Sequence, residues 1–177
     1  MELSKSELRK QLIARRKALD PISKAEMDKA LFENVISCPE FRQARLVLAF
    51  VSTEIEVDTR RIIQYCFDIG KPVAVPISGD TELTFCIITD FSRLHMGRYG
   101  IYEPMPENAV SDFSDSICLV PALRFDKNNY RIGYGKGYYD RFLSGYKGFS
   151  AGLCYKSFIG EVPVDRFDHR VDIVITN

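Results

Sequence analysis

From Arg131 to Asp140 the chain reads Arg-Ile-Gly-Tyr-Gly-Lys-Gly-Tyr-Tyr-Asp, with glycines at 133, 135 and 137, a lysine between the last two, a tyrosine pair and a closing acid. Alternate glycines free the backbone for conformations barred to other residues and let a ligand approach the amides closely. Arg131 and Lys136 add two full positive charges, and a helix starting near Tyr138 turns the positive end of its dipole toward the same place. The chemistry this favours is the holding of a polyphosphate. The spacing matches neither G-x-x-x-x-G-K-[ST] nor G-x-G-x-x-G. A plainer reading is a glycine-rich turn between strand and helix, with Lys136 solvated and the tyrosines packed.

Such a loop needs a frame. Ser4-Lys-Ser-Glu7 has the form of a capping box opening a helix, with Leu8, Leu12 and Leu19 on its apolar side and a basic remainder that puts Lys5 and Arg9 on one face. Asp20-Pro21 is read as its end, and Ser23-Lys-Ala-Glu26 as the box of a second helix carrying Met27, Leu31 and Val35; the two are expected to form an N-terminal helix pair. Leu46 to Phe50 is a continuous apolar run, followed by a helical stretch from Asp58 to Phe67 and a buried strand from Pro72 to Val75. The pattern recurs as strand Ile117 to Leu123, the glycine loop, a helix from Tyr138 to Leu143 and a strand from Phe149 to Cys154; Val171 to Ile175 adds a last strand and Thr81 to Ile88 an additional, antiparallel one. This alternation predicts an α/β fold, a layered sandwich with a mostly parallel central sheet flanked by helices, forming a single domain over residues 1–177 whose ligands sit at the carboxyl ends of the strands.

The 177 residues carry 24 basic and 24 acidic side chains, a balance that argues against an extended nucleic-acid or anionic-membrane footprint. Five cysteines, Cys38, Cys66, Cys86, Cys118 and Cys154, contain no C-x-x-C pair and fall within apolar runs, which fits buried thiols in a reducing cytoplasm better than disulfides or zinc. No apolar run is long enough to span a bilayer, and the first residues lack a signal-peptide core. A cytoplasmic monomer is expected.

The string Leu119 to Leu143, LVPALRFDKNNYRIGYGKGYYDRFL, resembles the 5-formyltetrahydrofolate cyclo-ligase (5,10-methenyltetrahydrofolate synthetase) family. The resemblance extends along the chain: KSELRKQL from Lys5, LAFVSTEIEVDT from Leu48, GIYEP from Gly100 and VPVDRFDHRVD from Val162 are similar to successive family segments. It implies ATP-dependent cyclisation of 5-formyltetrahydrofolate to 5,10-methenyltetrahydrofolate with Mg²⁺, on an ATP site formed by Lys5, Arg9 and the run Arg131, Ile132, Gly133, Tyr134, Gly135, Lys136, Gly137, Tyr138 and Tyr139. Lys136 and Arg131 would neutralise charge during phosphoryl transfer. Asp140 and Asp168, with Asp172 in reserve, would ligate the metal. Val51, Glu56 and Tyr102 would bind folate, Glu56 through the donor-rich edge of the pterin, while Tyr138, Tyr139 and Phe125 could stack against rings. Tyr134 stands where many relatives carry arginine and Phe167 where they often carry histidine, with His169 displaced by one. His169 and His95 are read as structural. The rivals are a non-catalytic folate or nucleotide binder on the same fold, and an isomerase or CoA transferase on a similar frame.

Overall fold

The computed structural model describes residues 4–177. Ser4 opens α1 (Lys5–Lys17) with the reciprocal box read from the sequence: its hydroxyl accepts from the Glu7 amide, and its amide donates to the Glu7 carboxylate at 2.9 Å. The Ser4 hydroxyl also donates to that carboxylate at 2.6 Å, and this bond, followed by the one from the amide, holds the Glu7 carboxyl below its ordinary pKa. The second helix departs from expectation. α2 (Pro21–Ser37) starts at Pro21, and its cap is Asp20, whose carboxylate accepts from the Ser23 amide at 2.9 Å. Asp20-Pro21 therefore begins α2 instead of ending α1, because proline lacks only an amide hydrogen that the first helical turn leaves unbonded and its fixed φ suits that turn.

The remaining elements are α3 (Pro39–Gln43), β1 (Leu46–Leu48), α4 (Arg60–Asp68), β2 (Val73–Ser78), β3 (Leu83–Ile88), β4 (Leu94–Met96), β5 (Tyr102–Pro104), β6 (Ser116–Pro121), β7 (Arg124–Phe125), β8 (Arg131–Ile132), α5 (Tyr138–Gly145), β9 (Phe149–Leu153) and β10 (Ile173–Ile175). Six strands form one sheet in the order β10-β9-β6-β1-β2-β3. All neighbours pair in parallel except β2 and β3, which are antiparallel. The central strands are covered on both faces, so Val47, Leu48, Ile117, Cys118, Leu119 and Val120 are all fully buried. An aliphatic side chain removed from water in this way contributes roughly 2 kcal/mol. α4 buries Ile62, Ile63 and Cys66, and α2 buries Leu31, Phe32 and Val35. All five cysteines are buried and unpaired.

The chain leaves β1 toward β2 on one side and returns through β6 on the other. The boundary between β1 and β6 is thus a topological switch point, the place where an open parallel sheet leaves a crevice beyond its carboxyl edge. Two small antiparallel pairs, β4–β5 and β7–β8, lie outside the main sheet.

Candidate active site

The β7–β8 hairpin aims the glycine segment. Asp126 Oδ1 accepts from the amides of Asn128 and Tyr130, both at 2.9 Å, which closes a turn with Asn129 at φ 67°. β8 then delivers Arg131 into the interior. Its side chain is buried, with Nη1 donating to the His169 carbonyl at 2.6 Å and Nη2 to Asp140 Oδ1 at 2.7 Å. The His169 amide donates to the same oxygen at 3.1 Å. Asp140 is therefore oriented through one oxygen, and its Oδ2 has no partner among the described residues.

Beyond β8 the backbone needs its glycines at two points. Gly135 sits at φ 94° and Gly137, which caps α5, at φ 71°, both in the left-handed region that side chains resist. At Gly135 a Cβ would also stand 3.0 Å from the Arg9 guanidinium, which packs here with Nε donating to the Gly133 carbonyl at 2.9 Å. The amides of Gly135, Lys136 and Gly137 donate to no group among the described residues. Unbonded amides at a helix start, with Arg9 against them, form a concavity suited to phosphate oxygens.

On the far side of this concavity Lys5 Nζ meets Asp168 at 2.6 Å and Asp165 at 2.7 Å. Burial opposes the charge on Lys5, but its bonds to the two carboxylates hold the ammonium above its ordinary pKa. Asp168 Oδ2 also accepts from the Asp165 amide at 2.7 Å. Lys5, Arg9, Gly135, Asp140 and Asp168 line one cavity of about 530 Å³. No cluster of three or more His, Cys, Asp or Glu able to hold a metal exists among the described residues. Two carboxylates beside a phosphate-shaped concavity instead fit Mg²⁺, which takes one or two protein carboxylates and completes its shell with phosphate oxygens and water.

A second cavity, of about 380 Å³, lies over the switch point, walled by Phe50 and Val51 after β1, Pro121 at the end of β6, and the segment Tyr134 to Asp140. Glu56 projects into it nearly buried, with Oε2 accepting from the Thr53 amide at 2.8 Å and hydroxyl at 2.9 Å. Burial, then the Glu56 carboxylate, push the Tyr134 hydroxyl above its ordinary pKa. The Tyr139 hydroxyl is buried without a hydrogen-bond partner, and burial together with Cys118 and Glu56 raises its pKa strongly. A third cavity, of about 710 Å³, continues outward past Val51, Thr53, Ile55 and Tyr102, with Lys17, Lys24 and Arg60 on its walls. The middle cavity shares Gly135, Gly137 and Asp140 with the first, and Val51, Thr53, Ile55, Ile101 and Tyr102 with the third. The three form a series.

Most of the residues singled out in the sequence therefore meet along one path, though not all as expected. Lys136, Tyr134, Tyr138 and Tyr139 line the middle cavity and not the first. Arg131 reaches the middle cavity with both terminal nitrogens already engaged. Ile132 buries its side chain, and Phe125 is a core residue with no exposed surface, so neither presents a side chain to a ligand. Asp172 is turned to the amide and hydroxyl of Ser150 at 2.7 and 2.8 Å, and lines none of the three cavities.

Arg16 was missed. It is 2% exposed, donating from Nη1 to the Ile55 carbonyl at 3.1 Å and from Nη2 to the Ala122 and Leu123 carbonyls at 2.8 and 3.0 Å. It pins the two loops that leave the switch point. The available signal was its place four residues after Leu12 on the apolar face of α1.

The family model described as the 5-formyltetrahydrofolate cyclo-ligase family matches residues 1–177. The chain belongs to this family. Within it, a Caenorhabditis elegans protein named probable 5-formyltetrahydrofolate cyclo-ligase is 32% identical over 97% of this chain and 91% of its own length. The Escherichia coli K12 5-formyltetrahydrofolate cyclo-ligase is 29% identical over 92% and 94%. Among solved structures, the Aquifex aeolicus 5,10-methenyltetrahydrofolate synthetase superposes with a TM-score of 0.87 at 30% identity, covering 98% of this chain and 90% of that one. Family membership and the fold agree on an α/β architecture with a mostly parallel six-stranded sheet.

Proposed function

We propose that the protein closes 5-formyltetrahydrofolate to 5,10-methenyltetrahydrofolate while converting ATP to ADP and phosphate. The observation that carries this reading is the series of three cavities. A phosphoryl group can reach the formyl oxygen only if the triphosphate and the pterin lie in adjoining spaces, and the remainder of folate must leave on the opposite side. The cavity beside the glycine concavity suits the triphosphate, the middle one with Glu56 suits the pterin, and the outer one with Lys17, Lys24 and Arg60 suits the p-aminobenzoylglutamate.

A formyl amide is a poor electrophile, because its nitrogen feeds the carbonyl, and its oxygen is a poor leaving group. Transfer of the γ-phosphoryl group to that oxygen answers both. An O–P bond forms to the formyl oxygen as the β,γ-bridging bond breaks and ADP departs. N10 then attacks the iminium carbon and loses its proton, and the C–O bond breaks with phosphate carrying away the electron pair. The protein's share is positioning and charge neutralisation. Lys136 offsets charge on the transferring group, Arg9 and the unbonded amides hold the phosphates, and Arg131 keeps Asp140 turned toward the same cavity. Mg²⁺ bound by Asp140 and Asp168 would neutralise phosphate oxygens. Glu56 orients the pterin through hydrogen bonds from its ring donors.

Absorbance of the methenyl product, followed with 5-formyltetrahydrofolate, ATP and Mg²⁺ and in controls lacking each, tests the reading. Product strictly dependent on ATP is expected. Folded protein that binds both substrates without product would identify a silent binder instead.

A further inference from the structure

Tyr99 stands between β4 and β5 with φ 61° and ψ 16°, and Gly100 follows at φ 70°. A left-handed conformation costs a bulky residue about 1–2 kcal/mol. Arg98 Nη1 pairs with Asp80 at 2.6 Å, and the Tyr138 hydroxyl donates to the Gly79 carbonyl at 2.7 Å. The exposed Tyr99 ring carries Lys136 Nζ 4.9 Å from its centroid. Lys136 forms no ion pair among the described residues. The hairpin end that bears Tyr99 also supplies Ile101 and Tyr102 to the middle and outer cavities. Tyr99 is thus where the folate-side wall touches the cation of the glycine loop.

We propose that Tyr99 is a positioning residue that couples the two substrates: its ring face holds Lys136 over the middle cavity, so that a nucleotide capturing Lys136 also orders the hairpin against folate. This rests on the functional reading above. Coupling of this kind is reciprocal, so folate tightens nucleotide binding by the same factor. A cation over an aromatic face at an exposed site is worth about 0.5–1 kcal/mol, which sets the expected tightening at roughly two- to five-fold.

The test is equilibrium binding of 5-formyltetrahydrofolate with and without a non-hydrolysable ATP analogue and Mg²⁺, in the wild type, Tyr99→Phe and Tyr99→Asn. Phenylalanine keeps the ring face. Asparagine removes it yet tolerates the left-handed backbone, so the turn survives. The wild type and Tyr99→Phe should bind folate two- to five-fold more tightly with the analogue present, and Tyr99→Asn should show a ratio near one. A ratio near one in the wild type, an unchanged ratio in Tyr99→Asn, or loss of the ratio in Tyr99→Phe as complete as in Tyr99→Asn would each overturn the inference alone. Failure of the wild type to bind folate under any condition would overturn the functional reading and the inference with it.

Discussion

Lys136 and Glu56 line the same cavity but are assigned opposite partners, so their removal should damage different constants. Lys136 offers its charge to the transferring phosphoryl group, where a lost electrostatic donor typically costs about 10²–10³ in rate. Lys136→Ala is expected to lower kcat/KM for ATP by roughly 10²-fold. Its effect on folate affinity in the absence of nucleotide should stay within about two-fold, since among the described residues its ammonium touches the folate wall through one exposed cation–π contact. Steady-state kinetics with each substrate varied in turn decide this, and unchanged ATP constants would remove Lys136 from the site. Glu56→Gln should do the reverse. Hydrogen bonds to a charged group are worth about 1.5–3 kcal/mol, so the folate KM should rise at least ten-fold while the ATP constants hold. An unchanged folate KM would reassign the carboxylate to bracing Thr53 alone.

Individual elements show why part of the site could be read from the chain and part could not. The left-handed backbone at Gly135 and Gly137 was legible because alternate glycines ahead of a helix mark conformations that side chains resist, and the Ser4 box because capping is settled within four residues. The burial of Arg131 was not, since it depends on the His169 carbonyl, 38 positions away, and on Asp140 across the loop. β7 and β8 are two residues each, too short for a period-two pattern to register, yet their hairpin is what aims the loop. α1 illustrates the same point in one helix. Its basic residues look solvated, but Lys5, Arg9 and Arg16 reach four separate loops, and Arg16 reaches two of them from the buried face. Arg16→Met keeps the apolar stem and removes three hydrogen bonds to backbone carbonyls. A loss of about 3 kcal/mol in urea unfolding is expected, because buried acceptors are left unsatisfied. The folate KM should rise with it, since the Ile55 loop carries Glu56. A stability change under about 1 kcal/mol would mean that water replaces the guanidinium, and that Arg16 does not hold the switch-point loops.

Across the whole molecule the parallel sheet sets both the site's position and a dependence on pH. Alternating apolar runs and helical stretches could be read as a parallel sheet, and parallel strands covered on both faces leave cysteine in full burial, as at Cys66 and Cys118 in α4 and β6. Burial pushes the Cys66 thiol up to about 12 and the Cys118 thiol higher still, and it also raises Cys38, Cys86 and Cys154. In the unfolded chain these thiols ionise near their ordinary value of about 8.5. Above that pH the unfolded state has fewer bound protons than the folded one, so stability falls as pH rises. Below it both states are protonated and the contribution is fully present. Each thiol that stays protonated only in the fold removes about 1.4 kcal/mol per pH unit over this window. Buried tyrosines raised in the same way, Tyr139 and Tyr155 among them, add to the slope above about pH 10, the ordinary tyrosine value. Urea unfolding at pH 6, 7 and 9.5 should therefore give a stability that is level over the first interval and falls by several kcal/mol over the second. Substituting serine at Cys118, which does not titrate there, should flatten the fall by the share of one thiol. A stability level to pH 10 in the unsubstituted protein would mean that the thiols ionise within the fold, which a core covered on both faces of the sheet does not permit.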